Sequence, residues 1–136
     1  MPFVYRGSLA ELEKSALVGD GDCVDLIKSM VPGLHGISTR SWKQGITVVG
    51  STGIEPGTAI ATFEFGKYPS SRDVGKHAAI FLAYGGNALW VIDQWKNDPK
   101  SPKVHKRLLY PGKMNKDGTF HNASNNSLAF SVIELN

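Results

Sequence analysis

The chain has 136 residues, of which 41% are hydrophobic and 20% charged, a composition that excludes a disordered protein and fits one domain over residues 1–136. The formal net charge of +3 comes from basic residues scattered along the sequence, which argues against a nucleic-acid-binding protein. No stretch approaches roughly eighteen apolar residues, so no membrane insertion is expected.

The densest basic group in the chain consists of Lys100, Lys103, Lys106 and Arg107. Such a group is usually the solvated surface of a loop. Alternatively, it would attract an anionic polymer such as a bacterial cell wall.

Cys23 is the single cysteine, so the chain forms no internal disulfide and no zinc site of the Cys-x-x-Cys type. The four histidines show no ligand spacing, and no metal or other cofactor is expected. A lone cysteine is either a small buried hydrophobic residue or a reactive thiol, and its surroundings decide which.

Two helices are predicted near the start of the chain. The sequence from Ser8 to Glu11 is a capping box, and the apolar positions after it predict a helix from about Leu9 to Leu17. A second helix is predicted to begin near Asp22, with Asp20 or Asp22 as its cap, and to end before Pro32.

The rest of the sequence predicts strands and loops. The predicted strands are Ile46–Val49, Thr58–Phe65, His77–Tyr84, Leu89–Trp95, Arg107–Tyr110 and Ser127–Leu135. Residues 41–45 are expected as a short helix or loop, and 66–75, 96–106 and 112–126 as loops. Helices followed by a run of strands predict an α+β fold with an antiparallel sheet.

Cys23 falls in the first turn of the second helix, where the helix dipole and the free amides favour a thiolate. The preceding Gly21 leaves little bulk to block access to it. His77 opens an apolar strand and is the candidate base. Asp93, on the paired strand, is the candidate to accept the second ring N–H and fix the tautomer.

Other interpretations compete with this triad. Each of the three residues, taken alone, is more often structural than catalytic. Gln94 is the alternative third residue, because neighbours on a strand point to opposite faces and only one can serve. The carboxylates of Asp22 and Asp25 would disfavour a thiolate, unless Asp22 caps the helix and Asp25 faces solvent.

The remaining histidines, His35, His105 and His121, do not open an apolar strand, which makes them weaker candidates for the base. Trp42, Tyr68 and Trp95 are possible groove residues, although core packing is the more common role for each. Tyr5, before the first helix, is a further candidate for the cleft.

Several motifs resemble those of NlpC-type and CHAP cysteine peptidases, which have a papain-like fold. Gly21-Asp-Cys23 resembles their Gly-x-Cys at a helix start, and residues 76–87 resemble their histidine strand with its glycine turn. Residues 91–95, which include both Asp93 and Gln94, fall where that family places its third polar residue. Pro56-Gly57-Thr58 replaces the family's Pro-Gly-Asp, so the resemblance assigns no role to Thr58.

Within that superfamily, the short chain most resembles the second family of type VI secretion amidase effectors. The resemblance implies cleavage of cross-linked peptidoglycan peptides between D-alanine and meso-diaminopimelate by a monomeric toxin with a cognate immunity protein. The start of the chain lacks a Sec-type signal peptide, so delivery by the type VI secretion apparatus into the periplasm of a recipient Gram-negative cell is expected.

Two other functions stay open at the level of sequence. A non-catalytic peptidoglycan-binding module would keep the groove without needing a thiol. A papain-like acyltransferase or deamidase acting on proteins would use the same cysteine and histidine.

Overall fold

The structure, a computed structural model, describes residues 2–69, 76–97 and 102–136. Within these ranges, two α-helices precede six β-strands. The helices are α1 (Leu9–Leu12) and α2 (Cys23–Met30), and the strands are β1 (Trp42–Thr47), β2 (Ala59–Thr62), β3 (Ala78–Gly85), β4 (Ala88–Asp93), β5 (His105–Leu109) and β6 (Phe130–Leu135). Short 3-10 turns span Thr39–Ser41, Ala123–Asn125 and Ser127–Ala129. No helix in the described part of the chain is both long and apolar enough for a membrane span.

The six strands form one sheet in the order β1-β6-β2-β3-β4-β5. Every neighbouring pair is antiparallel, so the predicted α+β class with an antiparallel sheet is confirmed. The last strand inserts between β1 and β2, while β3, β4 and β5 follow each other as a meander. The predicted turn at 85–87 joins β3 to β4.

Alternate side chains of the sheet enter two separate cores, as the period of two in a strand requires. On one face, Ala61 and Ile80 pack against Leu26 and Ile27 of helix α2. On the other face lies a second cluster, in which Ala123 from the segment after β5 packs with residues of the sheet: Ile60, Ala79, Phe81, Val91 and Phe130. The sheet is therefore covered on both faces, and helix α2 lies over only one of them.

The first helix is shorter than predicted. It ends at Leu12 rather than Leu17, because Ser15 folds back and donates both its amide and its hydroxyl to the Leu12 carbonyl. The chain then pairs with the segment before β5, where Ala16 forms a bridge to Lys103. Tertiary pairing therefore replaces the last five residues of the predicted helix, 13–17.

Two other predicted elements need correction. The expected helix or loop at 41–45 is instead the start of strand β1, which pairs with β6. Strand β5 begins at His105, two residues before its predicted start at Arg107, so Lys106 lies in the sheet rather than in a loop. Parts of the predicted loops 66–75 and 96–106, including Lys100, lie outside the described residues.

Candidate active site

Cys23 is the first residue of helix α2, and its side chain is partly buried. Asp22 occupies the N-cap position but makes no capping hydrogen bond, contrary to expectation, and its carboxylate pairs with Lys96 at 3.4 Å. Asp25 accepts a hydrogen bond from the backbone amide of Asp20 at 2.7 Å. The Asp25 carboxylate is thereby committed to the preceding loop, in agreement with the expectation that it turns away from the thiol.

Gly21 allows the loop before Cys23 to lie directly against the chain that leaves β4. Its φ of +89° is strained for other residues, and an added Cβ would meet the Lys96 Cβ at 2.7 Å. The Lys96 amide donates to the Gly21 carbonyl at 3.0 Å. The glycine is therefore needed for this internal contact.

His77 lies immediately before strand β3 and is 8% exposed. Its backbone amide donates to the Thr62 hydroxyl at 3.0 Å, and its carbonyl accepts from the Thr62 amide at 2.9 Å. The imidazole packs edge-on against the Phe130 ring, with 6.3 Å between the centroids. Both the backbone and the ring of His77 are thus held by neighbouring strands.

Asp93 is the last residue of β4, is 1% exposed, and places Oδ2 at 2.6 Å from Nε2 of His77. The Nε2 atom is occupied by this contact, which leaves Nδ1 as the ring nitrogen available to the thiol. The side chain of His77 also hydrogen-bonds with Cys23. The structure therefore connects the three predicted residues, Cys23, His77 and Asp93, in that order.

The charges of Cys23, His77 and Asp93 influence one another. Burial alone would lower the pKa of His77, but the hydrogen bonds and charges of Asp93 and Cys23 raise that pKa to about 9. Burial likewise raises the pKa of the Cys23 thiol, yet the hydrogen bond and charge of His77, together with hydrogen bonds from the Ala78 backbone and Tyr68, outweigh it, and the thiol pKa falls below its ordinary value. Both shifts favour a thiolate–imidazolium pair that titrates as one unit.

Gln94, the alternative third residue, points away from His77. Its Oε1 accepts from the Val18 amide at 2.8 Å, and its Nε2 donates to the carbonyls of Val18 at 2.9 Å and Asp22 at 2.7 Å. The side chain is fully buried in this role. Gln94 therefore holds the loop that leads into Cys23, while its neighbour Asp93 contacts the imidazole from the other face of the sheet.

Two residues that sequence reasoning did not assign to the triad touch it. The hydroxyl of Tyr68 hydrogen-bonds with Cys23, and the Tyr68 ring packs edge-on against Trp42 at 5.0 Å. Burial and then the thiolate charge raise the pKa of Tyr68 well above its usual range. Tyr68 follows β2 in a segment without periodicity, and the sequence indicated only a groove or core role for it.

The second such residue is Arg107, a member of the basic group and the first residue of a predicted strand. Its Nε donates to Asp93 Oδ2 at 2.9 Å. In the β4–β5 register Asp93 pairs with His105, so Arg107 is its diagonal neighbour on the same face. An opposite-charge pair at this offset is a recognisable signal once the register is known, but the sequence does not supply the register.

The remaining candidates lie elsewhere. Trp42 is in the core at 2% exposure, whereas Trp95 is 54% exposed just beyond Gln94. The Thr58 hydroxyl donates to the Glu55 carbonyl at 2.6 Å and so belongs to a turn. The side chain of Tyr5 lies against Gly7.

Of the other histidines, His35 and His121 are exposed. His105 places Nε2 at 3.6 Å from Asp93 Oδ1, so it lies at the edge of the site, although it does not open an apolar strand.

A cysteine at a helix start, facing a histidine and an acid from an antiparallel sheet, is the arrangement of papain-like cysteine hydrolases. The sequence matches the family described as "Domesticated amidase effector 2" over residues 8–132. A solved structure of type 6 secretion amidase effector 2 superposes with a TM-score of 0.86 at 37% identity, covering 97% of this chain and 94% of the other. The predicted α+β papain-like fold is thereby confirmed.

Two curated relatives agree with this match. The type VI secretion amidase effector 2 protein of Salmonella typhi is 38% identical over 98% of this chain and 100% of the relative. Domesticated amidase effector 2 of Ixodes scapularis is 35% identical over 84% of this chain and 71% of the relative. The chain therefore belongs to the amidase effector 2 family, the family that its motifs indicated.

Proposed function

We propose that this chain is an amidase that hydrolyses peptide bonds in peptidoglycan stems, with Cys23 as nucleophile, His77 as general base and acid, and Asp93 as the group that orients His77. The observation that carries the proposal is the connected series from the helix-borne thiol through His77 to the buried Asp93 carboxylate. Membership of an amidase family over nearly the whole chain supports the reaction class.

The first half of the reaction forms a thioester. His77 takes the thiol proton of Cys23, and the thiolate attacks the carbonyl carbon of the scissile amide. The oxygen of the tetrahedral intermediate lies near the free amides at the start of helix α2, where the positive end of the helix dipole stabilises negative charge. His77 then gives its proton to the leaving amine nitrogen, and the carbon–nitrogen bond breaks.

The second half restores the enzyme. A water molecule gives a proton to His77 and attacks the thioester carbonyl, and the carbon–sulfur bond breaks to release the acyl half as a carboxylic acid. Cys23 leaves as a thiolate, and His77 is again an imidazolium. Asp93 stays ionised throughout, because its role is to fix the ring and to stabilise the positive charge on it.

The substrate and the setting follow from the family. Type VI secretion effectors act on other cells, which supports delivery of this chain into a recipient bacterium by that apparatus. We propose that it cuts the bond between D-alanine and meso-diaminopimelate in the recipient periplasm. We also propose that it acts as a single-domain monomer and that the producing cell holds a cognate immunity protein.

The proposal is tested by digesting purified Gram-negative peptidoglycan and weighing the separated muropeptides. Wild type should remove cross-linked dimers, and the product masses should place the cut between D-alanine and meso-diaminopimelate. Cys23→Ala should leave the dimers intact. Ser29→Ala, a matched control for an exposed side chain on the same helix, should behave as wild type.

Other outcomes would redirect the proposal. Equal activity of wild type and Cys23→Ala would remove Cys23 as the nucleophile. Equal inactivity of two folded proteins would favour a protein substrate or a binding module. Products carrying a transferred acyl group instead of a free carboxylate would indicate an acyltransferase.

A further inference from the structure

Arg107 links the acid of the site to a distant turn. Its Nε donates to Asp93 Oδ2 at 2.9 Å, while its two terminal nitrogens donate to the Asn125 side chain and to the Ser124 carbonyl, the latter at 3.0 Å. The Arg107 side chain is 28% exposed, so the pair is largely shielded from solvent. Both ends of the guanidinium are therefore fixed.

Asp93 depends on this cation for its charge and its orientation. Its side chain is 2% exposed, and a carboxylate buried to that degree is stable as an anion only when paired. Oδ2 accepts from both His77 and Arg107, whereas Oδ1 has no hydrogen-bond partner among the described residues. Rotation of the carboxylate would break both contacts at once, which keeps Oδ2 directed at His77.

We propose that Arg107 is a positioning residue of the active site, which keeps Asp93 ionised and turned toward His77 while the turn at Ala123–Asn125 holds Arg107 in place. This inference rests on the proposed function only for its effect on hydrolysis. The contact itself brings the segment after β5 into the site, since that turn is the outer anchor of the guanidinium.

Arg107 also acts through its charge. Its Nη2 atom lies 3.4 Å from Nε2 of His77, so its positive charge favours the thiolate and opposes the imidazolium. Removing the charge should raise the pKa of both members of the Cys23–His77 pair. Among the described residues, the other ionisable groups that face this site are Asp22 before α2, Tyr68 after β2, and His105 on β5.

The test is the pH dependence of alkylation of Cys23 by iodoacetamide, which needs no substrate. Cys23 is the single cysteine, so the label reports on one thiol. Arg107→Gln should move the midpoint of the alkylation rate upward by about one pH unit. Lys106→Gln, which removes the same charge from the exposed face of the same strand, should leave the midpoint unchanged.

Arg107→Lys separates the charge from the geometry. A lysine keeps the positive charge but cannot bind Asp93, Ser124 and Asn125 together. The alkylation midpoint should therefore stay near that of wild type, while kcat for muropeptide hydrolysis falls about tenfold with little change in KM.

Two results would overturn the inference. One is an Arg107→Gln protein that is folded and has the wild-type midpoint. The other, which decides the matter even if Arg107→Gln does not fold, is an Arg107→Lys protein with the wild-type kcat. Inactivity of wild type on peptidoglycan would instead count against the proposed function and leave the alkylation result valid.

Discussion

The coupling of Cys23 and His77 sets the pH range of the site at the scale of single residues. The pKa of His77 is raised to about 9, and that of Cys23 is lowered, so the ion pair exists between the thiol midpoint and about pH 9. Hydrolysis should rise with pH as the thiolate forms and fall above about pH 9 as the imidazolium loses its proton. Such a bell-shaped profile belongs to the pair rather than to either residue.

The coupling itself predicts a shift that is measurable by NMR titration of His77. The Cys23 hydrogen bond and thiolate charge both raise the histidine pKa. Cys23→Ala should therefore lower it from about 9. Ser29→Ala should leave it unchanged. An unaltered His77 pKa in the alanine variant would show that the thiol and the imidazole do not interact.

Tyr68 is a second residue whose effect should appear in the titration of the thiol. Its hydroxyl donates a hydrogen bond that favours the charged form of Cys23 and lowers the thiol pKa. Tyr68→Phe should raise the midpoint of alkylation by less than about one pH unit while the protein stays folded. Tyr110→Phe, at a position that is 65% exposed, is the matched control. Equal midpoints in the two variants would remove Tyr68 from the site.

At the scale of elements, the residues at the end of β4 contact two other segments, the one before β3 and the loop before α2. Asp93 contacts the ring of His77 just before β3, and the next residue, Gln94, hydrogen-bonds to the loop before α2. Gln94→Met would leave the Val18 amide without its partner and would remove one of the two hydrogen bonds that the carbonyls of Val18 and Asp22 each accept. It should destabilise the fold by about 1–3 kcal/mol in chemical denaturation and slow alkylation of Cys23.

A glutamine with a single side-chain contact is the control for that experiment. Gln44 on β1 donates one hydrogen bond to the Ser131 hydroxyl. Gln44→Met should therefore lower the free energy of unfolding by less than Gln94→Met does, and it should leave alkylation of Cys23 unchanged. If Gln94→Met were no less stable than Gln44→Met, the anchoring role of Gln94 would be wrong.

The loop before α2 also requires a glycine at position 21. Gly21 and Gly50 share a φ of +89°, but an added Cβ meets Lys96 at 2.7 Å only at Gly21, with no described atom within 4 Å at Gly50. Gly21→Ala should therefore lower the free energy of unfolding by more than Gly50→Ala does. Gly50→Ala measures the strain of the backbone alone, about 1–2 kcal/mol. Thermal unfolding of the two variants compares them directly, and equal costs would mean that the loop moves freely away from β4.

At the scale of the whole molecule, one sheet separates two cores, and the prediction of a single domain requires them to unfold together. Ile80 packs on the face of α2, and Ile60 packs on the opposite face. Replacing either by alanine should lower the free energy of unfolding by about 2–5 kcal/mol and lower the midpoint temperature of one common unfolding transition. Ile46→Ala, at 59% exposure, should change stability by about 0.5 kcal/mol or less. Two separate transitions in the calorimeter would contradict a single cooperative unit.

The sequence by itself determined the local features. A helix that begins near Asp22, a strand that begins at His77 and a returning strand that contains Asp93 were all predicted close to their observed positions, because periodicity, caps and glycine turns act over a few residues. The order of these elements was enough for the α+β class. It was also enough to nominate the Cys23, His77 and Asp93 series as a site.

Only the tertiary structure decided how that series is supported. The choice between Asp93 and Gln94 depended on which face of β4 turns toward His77, and a shift of one residue in register would have reversed it. The contacts of Tyr68 with Cys23 and of Arg107 with Asp93 join segments far apart in the chain. Such contacts are fixed by strand pairing and loop packing, which short-range sequence patterns do not specify.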